Sequence, residues 1–173
     1  WQSITDYVVK VLSAIELQDG PSHTEIILSA TDGTPCLIET HTRPGGDRIT
    51  DLLTHVTGYD VFELTCQQLM GKSVLADIPD PIVAKAHCAI WFSTVEFSEP
   101  VSLGNSLNFD EVEQWPGITE LKILKPKGSK LAKVTNSFDR VSMAVAVADS
   151  SDGALDLAKK AVSALKFEIN FDQ

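Results

Sequence analysis

One stretch, HTEIILSATDGTPCLIETHTRPGGD from His23 to Asp47, constrains this chain more than any other. Ile26, Leu28, Ile38 and the residues between them alternate as strands do. Thr31-Asp32-Gly33-Thr34-Pro35 reads as a turn, because glycine tolerates a positive φ and aspartate hydrogen-bonds its own backbone. The stretch therefore predicts a β-hairpin followed by a glycine turn, Arg43-Pro44-Gly45-Gly46, leading into a helix.

The register follows from the turn. With the turn centred on Asp32, Glu25 falls opposite Glu39. His23, Glu25, Glu39, His41 and Arg43 then share one face, and Ile26, Leu28, Cys36 and Ile38 share the other, which is expected to face a core. Two carboxylates directly across a ladder stand about 5 Å apart, and like charges there are destabilising. A cation between them relieves that conflict. Oxygen donors suit Mg²⁺ or Mn²⁺, with phosphates completing the shell. An ordinary hairpin with one solvated face also carries Glu and His, and a register one residue off would offset the pair.

The wording of the stretch resembles the ATP-grasp ligases, and most closely the branch that contains the L-amino acid ligases. The resemblance rests on His23-Thr24-Glu25, Leu37-Ile38-Glu39 and Arg43-Pro44-Gly45-Gly46-Asp47. It continues through Ile49-Thr50-Asp51-Leu52-Leu53 and Thr57-Gly58-Tyr59-Asp60. It implies that Glu25 and Glu39 hold the Mg²⁺ ions bridging the ATP phosphates. It implies that Arg43 binds phosphate and an acyl-phosphate intermediate. Many members carry Asn two residues after the second Glu as a further metal ligand, where this chain has His41; a neutral imidazole can still coordinate.

Composition limits the other classes. A 173-residue chain is enough for one ordinary domain or two small ones. Its 43% hydrophobic and 22% charged content is globular. A net charge of −10 argues against a nucleic-acid surface. Lys122, Lys125, Lys127, Lys130 and Lys133 gather in what reads as a solvated hairpin. Cys36, Cys66 and Cys88 form no CxxC pair and no zinc spacing, and such a sparse count fits a reducing, cytoplasmic setting. Cys36 and Cys88 are expected as buried thiols. No run approaches the ~20 apolar residues of a membrane span. The first residue is Trp1, and neither a glycine-rich phosphate loop nor an adenine-binding strand pair is visible. The expectation is a fragment, inactive alone, whose N-terminal part is missing.

Along the chain, Ile4, Tyr7, Val8, Val11, Leu12 and Ile15 predict an amphipathic helix over 3–17, with a Ser3/Asp6 capping box, packed under the hairpin. Asp47 can cap a helix through Ile49, Leu52, Leu53 and Val56 that Gly58 ends. The amides of Gly45 and Gly46 are then expected at its N-terminus, where anions are favoured. Asp60 with Glu63 starts another helix. A linker at 77–81 divides the rear part of an ATP-grasp domain, 1–80, from a small α+β domain, 81–173. In the second part strands are expected at 86–93, 101–107, 118–124, 142–148 and 167–171, with helices at 110–114 and 151–165. Asp110, Glu111 and Glu113 read as the acidic first turn of a helix rather than a metal cluster. His55 and His87 read as structural.

The fold class expected is α+β: the rear half of an ATP-grasp domain, an antiparallel sheet with helices, then a small α+β C-terminal domain. The expected activity is ATP-dependent carboxylate–amine ligation through an acyl phosphate. Glu25, Glu39 and His41 would serve metal, and Arg43 catalysis and phosphate. Gly45, Gly46 and His23 would bind nucleotide, and Asp47 a substrate ammonium group. Partners would be ATP, small carboxylates and amino acids, the missing N-terminal part and a second copy in a homodimer, but no nucleic acid and no membrane. Two rivals stay open: a non-catalytic domain that kept the fold, and a carboxylase or nucleotide-biosynthesis ligase.

Overall fold

The computed structural model describes residues 2–171. They form two compact units, one of residues up to 54 with 58–83, the other of 55–57 with 84 onward. The elements are mixed α and β, with antiparallel sheets.

The first unit opens with α1, Gln2–Ala14. This helix ends earlier than its apolar stripe predicts. Glu16 turns left-handed at φ 58, and the Leu17 amide bonds the Leu12 carbonyl at 3.0 Å, closing the end well before Gly20. Ser3 lies inside the helix rather than capping it; the Asp6 carboxylate accepts from Gln2 Nε2 at 2.8 Å. Strands β1, His23–Leu28, and β2, Pro35–His41, form the hairpin. Helices α2, Ile49–Thr57, and α3, Val61–Leu69, follow. Gly58 caps α2 at φ 82 as the sequence predicts. Asp60 caps α3 by accepting from the amides of Phe62 and Glu63.

The second unit holds β3, His87–Ser93, β4, Val101–Ser106, α4, Phe109–Glu113, and β5, Ile118–Ile123. It continues with β6, Lys130–Leu131, β7, Ser142–Ala148, α5, Ser151–Ala164, and β8, Phe167–Phe171. One antiparallel sheet runs β3-β7-β5 and another β6-β4-β8. Strand β7 is central and buried from Ser142 to Ala146. Ala154, Ala158 and Ala161 line one face of α5, and their small side chains let it close onto β3 and β7. The core here is real: Val112, Leu121, Ala144, Val162 and Leu165 in one cluster, Val101, Leu103, Leu131 and Val141 in another. Two-residue β6 is too short to show in the sequence.

The first unit contrasts with this. Among its described residues only Thr50 is buried. Ile27, Ile38 and Leu69 are 58%, 60% and 83% exposed. Cys36 is exposed, against the expectation of a buried thiol. Cys88 is partly buried, and desolvation pushes its thiol above the ordinary range.

One close approach in the second unit is testable. The register of β4 on β8 shifts between Leu103 and Ser106, and there the Glu168 carboxylate accepts from Asn105 N at 3.1 Å and Nδ2 at 3.0 Å. A Cβ on Gly104 would lie 2.4 Å from Glu168 Cβ and 2.9 Å from its carbonyl oxygen. Gly104→Ala must move backbone, so it should cost about 2 kcal/mol and lower the melting temperature of this unit by roughly 10 °C, read by calorimetry.

Candidate functional site

The hairpin turn is closed by Ser29 N to Thr34 O and Gly33 N to Ser29 O, both 2.9 Å, with Gly33 at φ 71. Asp32 accepts from the Thr34 amide at 3.0 Å, as turn chemistry predicts. That bond holds the Asp32 carboxyl below its ordinary value, so its contribution to the turn is present above the usual aspartate range and fades as acid protonates it.

This turn is centred half a residue before Asp32. Leu28 therefore pairs with Pro35, Ile27 with Cys36 and Ile26 with Leu37. A bulge then inserts Ile38 into β2, and beyond it Glu25 faces Glu39, Thr24 faces Thr40 and His23 faces His41. The glutamate rung stands where the sequence put it. The apolar face does not: Cys36 lies opposite Ile27, Ile38 has no partner on β1, and Leu37 takes the place expected for Ile38. The bulge is held on both sides. Tyr7 Oη accepts from the Leu37 amide at 3.0 Å, which ties α1 to β2, and Thr24 and Thr40 share a hydroxyl bond of 2.8 Å on the rung beside the glutamates. Tyr7, Thr24 and Thr40 thus position the site, although the sequence marked none of them for it.

Each glutamate has an imidazole beside it. His23 Nε2 is 3.3 Å from Glu25 Oε1, and His41 Nε2 is 3.1 Å from Glu39 Oε1, with the ring protons set by tautomer. The His23 ring also meets the glycine turn, since a Cβ on Gly45 would lie 3.0 Å from its Nδ1. The ladder face and the turn therefore come together at Gly45 and His23. Arg43 lies in the bend after β2 and donates from Nη1 to the Pro44 carbonyl at 2.9 Å.

The turn departs from expectation at its end. Helix α2 starts at Ile49, so Gly45 and Gly46 stand ahead of its first turn, and the Ile49 amide bonds the Gly46 carbonyl at 3.0 Å. Arg48, not Asp47, is the N-cap, with no side-chain capping bond. Asp47 and Arg48 are both left-handed, at φ 48 and φ 67. Arg48 pairs through Nε with Asp51 at 3.2 Å.

Two carboxylates across one rung fit a divalent cation by donor chemistry. Among the described residues no three His, Cys, Asp or Glu side chains converge on a point. Mg²⁺ is commonly held in that way, by one or two carboxylates and phosphate oxygens instead of an all-protein cage. A cleft of about 640 Å³ lined by Pro21, Thr65, Leu69 and Leu75 shares no lining residue with the rung. Asp139, near Lys125, is held below the usual carboxylate range by the Thr135 amide and belongs to a capped loop. His87 Nδ1 meets Ser151 Oγ at 3.0 Å, a structural contact. No helix among the described residues is long and apolar enough to cross a membrane.

Comparison with known proteins bears on the fold. Residues 107–170 match the family model of L-amino acid ligase C-terminal domain 2. No curated protein sequence matches the chain. The L-amino acid ligase from Bacillus licheniformis superposes with a TM-score of 0.81 at 19% identity, over 99% of this chain and 43% of that one. Phosphoribosylglycinamide synthetase from Anaerococcus prevotii gives 0.76 at 16% identity, over 93% and 40%. The biotin carboxylase domain of Hydrogenobacter thermophilus 2-oxoglutarate carboxylase, a dimer in complex with MgADP, ADP and bicarbonate, gives 0.64 at 16% identity, over 95% and 35%. The chain thus spans about two fifths of the length of these ATP-grasp ligases. Its fold is that of the C-terminal portion of an L-amino acid ligase, the fold that the resemblance implied, and the family match itself lies at 107–170.

The contact at Gly45 gives a local prediction. Gly45→Ala leaves the backbone conformation allowed but forces the His23 ring to give way by a few tenths of an ångström. The His23 ring resonances should shift by NMR while the melting temperature changes by only a few degrees, a cost under about 1 kcal/mol.

Proposed function

We propose that this chain is the metal- and phosphate-binding rear of an ATP-dependent carboxylate–amine ligase. In this reading ATP phosphorylates a substrate carboxylate, releasing ADP, and an amine attacks the acyl phosphate and expels phosphate. The observation that carries it is the rung itself: Glu25 opposite Glu39, two like charges kept face to face by a bulge that restores their register. A ladder gains nothing from that pairing without a cation. Mg²⁺ or Mn²⁺ held there would supply neutralisation of charge on the transferred phosphoryl group.

The chain's own residues divide the remaining work. Glu25 and Glu39 would hold the metal from the protein side, with His41 beside Glu39 as a further donor in place of the family's asparagine. Arg43 stands one bend beyond Glu39 and would bind the phosphoryl oxygens and the acyl phosphate. Gly45 and Gly46 allow the nucleotide phosphates to approach the backbone beside His23. His23 and His41 are also the side chains of a type that can take the proton of the amine. Asp47, held left-handed past the glycines, would pair with the ammonium group of an amino-acid substrate.

The division falls near residue 80, with the catalytic portion before it and a C-terminal domain after it. A further body of protein carrying the glycine-rich phosphate loop and the adenine pocket completes the site. The exposed Ile27, Ile38 and Leu69 favour such a body, because a two-stranded hairpin is marginal alone. The substrates are amino acids in this reading; a carboxylase or nucleotide-biosynthesis ligase keeps the same rung and differs in product.

Two variants of the intact enzyme test the assignment. Glu39→Gln keeps the size and removes the charge, so ATP turnover should vanish with the fold intact. Retention of more than about a tenth of the activity, a loss below ~1.4 kcal/mol in the barrier, sinks the metal role. Asp47→Asn keeps a residue that tolerates the left-handed backbone and removes only the charge. The melting temperature and the affinity for ATP should hold while KM for the amino acid rises roughly tenfold, the worth of a lost charge-assisted hydrogen bond. Product analysis with mixed amino acids separates this ligase from a carboxylase.

A further inference from the structure

We propose that the cleft of about 640 Å³ between the loop ahead of β1 and the end of α3 binds a zwitterion with an apolar side chain, a free amino acid or a short peptide. The cleft shares no residue with the glutamate rung, so the inference stands whether or not the rung holds metal. Its volume lies in the ordinary range for small-molecule sites. Asp19 and Pro21 line it from the loop, Gln68 from α3, and Lys72, Val74 and Leu75 from the segment that follows.

Two local features shape it. Gln68 Nε2 donates to Asp19 Oδ1 at 3.2 Å, joining the loop to α3. Gly71 turns left-handed at φ 81, and the Lys72 amide bonds the Gln67 carbonyl at 3.1 Å. The chain therefore leaves α3 sharply, and Val74 and Leu75 return to line the cleft.

The charges in the lining select the ligand. Asp19 and Lys72 are its ionisable residues, one of each sign. Lys72 enters no ion pair among the described residues, and the bond from Gln68 takes one oxygen of Asp19 and leaves the other. A phosphate or nucleotide would meet the carboxylate with a single cation to offset it, and a divalent cation would find one carboxylate and a lysine. A wholly apolar ligand would desolvate both charges and pair neither. A zwitterion meets both, its ammonium on Asp19 and its carboxylate on Lys72, through charge-assisted hydrogen bonds. Its side chain then lies against Pro21, Val74 and Leu75, and Leu75, 75% exposed, gains apolar cover.

The test titrates the isotopically labelled 173-residue chain with L-leucine and with leucyl-leucine, read by amide NMR. Saturable shifts are expected at the amides of Gln68, Gly71 and Lys72, and the tighter of the two ligands identifies free amino acid or peptide as the occupant. N-acetyl-leucine lacks the ammonium, leucinamide the carboxylate and glycine the side chain, and each should bind about tenfold more weakly than leucine. Asp19→Asn keeps an oxygen for Gln68, and Lys72→Gln keeps a long polar side chain. Each should lower affinity about tenfold while the melting temperature holds. The absence of saturable shifts at millimolar ligand overturns the site, as do shifts confined to Gly45, Gly46 and Asp47. Equal binding by the acetylated and amidated forms, or unchanged affinity in both variants, overturns the pairing of two charges on which the inference stands.

Discussion

The opposition of Glu25 and Glu39 is the constraint on which the first unit turns. A strand has a period of two, so a slip of one residue would send one carboxylate to the other face. Two local preferences compete for that register. The Ser29–Thr34 turn, closed by its own backbone bonds, sets a pairing one residue out of step with the glutamates. The extra residue at Ile38 corrects it. A bulge leaves backbone groups unpaired on the bulged strand, and Tyr7 reaches from α1 to take the Leu37 amide. The Thr24–Thr40 bond then fixes the next rung. Helix, turn, bulge and threonine pair thus converge on one placement of two like charges, at the expense of a regular apolar face.

This explains what could and could not be read from residue order. The rung was legible because its two halves lie at equal distances from Asp32, and the bulge restores that symmetry to a turn centred half a residue earlier. The bulge itself was not legible: Leu37 and Ile38 are both apolar, so alternation looks equally good with either facing inward. Helix α2's stop at Gly58 and Asp60's capping of α3 were legible because each depends on one residue's own chemistry. The end of α1 was not, because Glu16 takes a left-handed conformation usually left to glycine or asparagine. The start of α2 failed for the same reason: Asp47 has the right chemistry for a cap, but two left-handed residues move the helix one position on.

The two units differ in what holds them. The second has a conventional interior, with β7 buried through five consecutive residues and alanines of α5 laid against the sheet. The first buries almost nothing, although its sequence is equally apolar. Its strands carry Ile27, Leu28, Leu37 and Ile38 at or above 41% exposure. Complete burial of such a side chain is worth about 1.5–3 kcal/mol, of which roughly half remains to be gained here. A two-stranded sheet cannot cover its own faces, so the apolar surface is that of a sheet made to be extended or overlaid. The ATP-grasp relatives, more than twice as long, have chain enough to do it.

The backbone between the ladder and α2 adds a last consideration. Left-handed φ costs a non-glycine residue about 1–2 kcal/mol, less for aspartate, and here Asp47 and Arg48 adopt it in succession. Neither position needs it to make the helix, since α2 would start more easily from an extended aspartate cap. Just ahead of these two residues the Gly45 backbone lies half-buried beside His23. Strain of this kind persists only where the surroundings over-determine it, and it gathers at binding sites. The same few residues that give up a good helix start also bring the turn onto the imidazole beside Glu25.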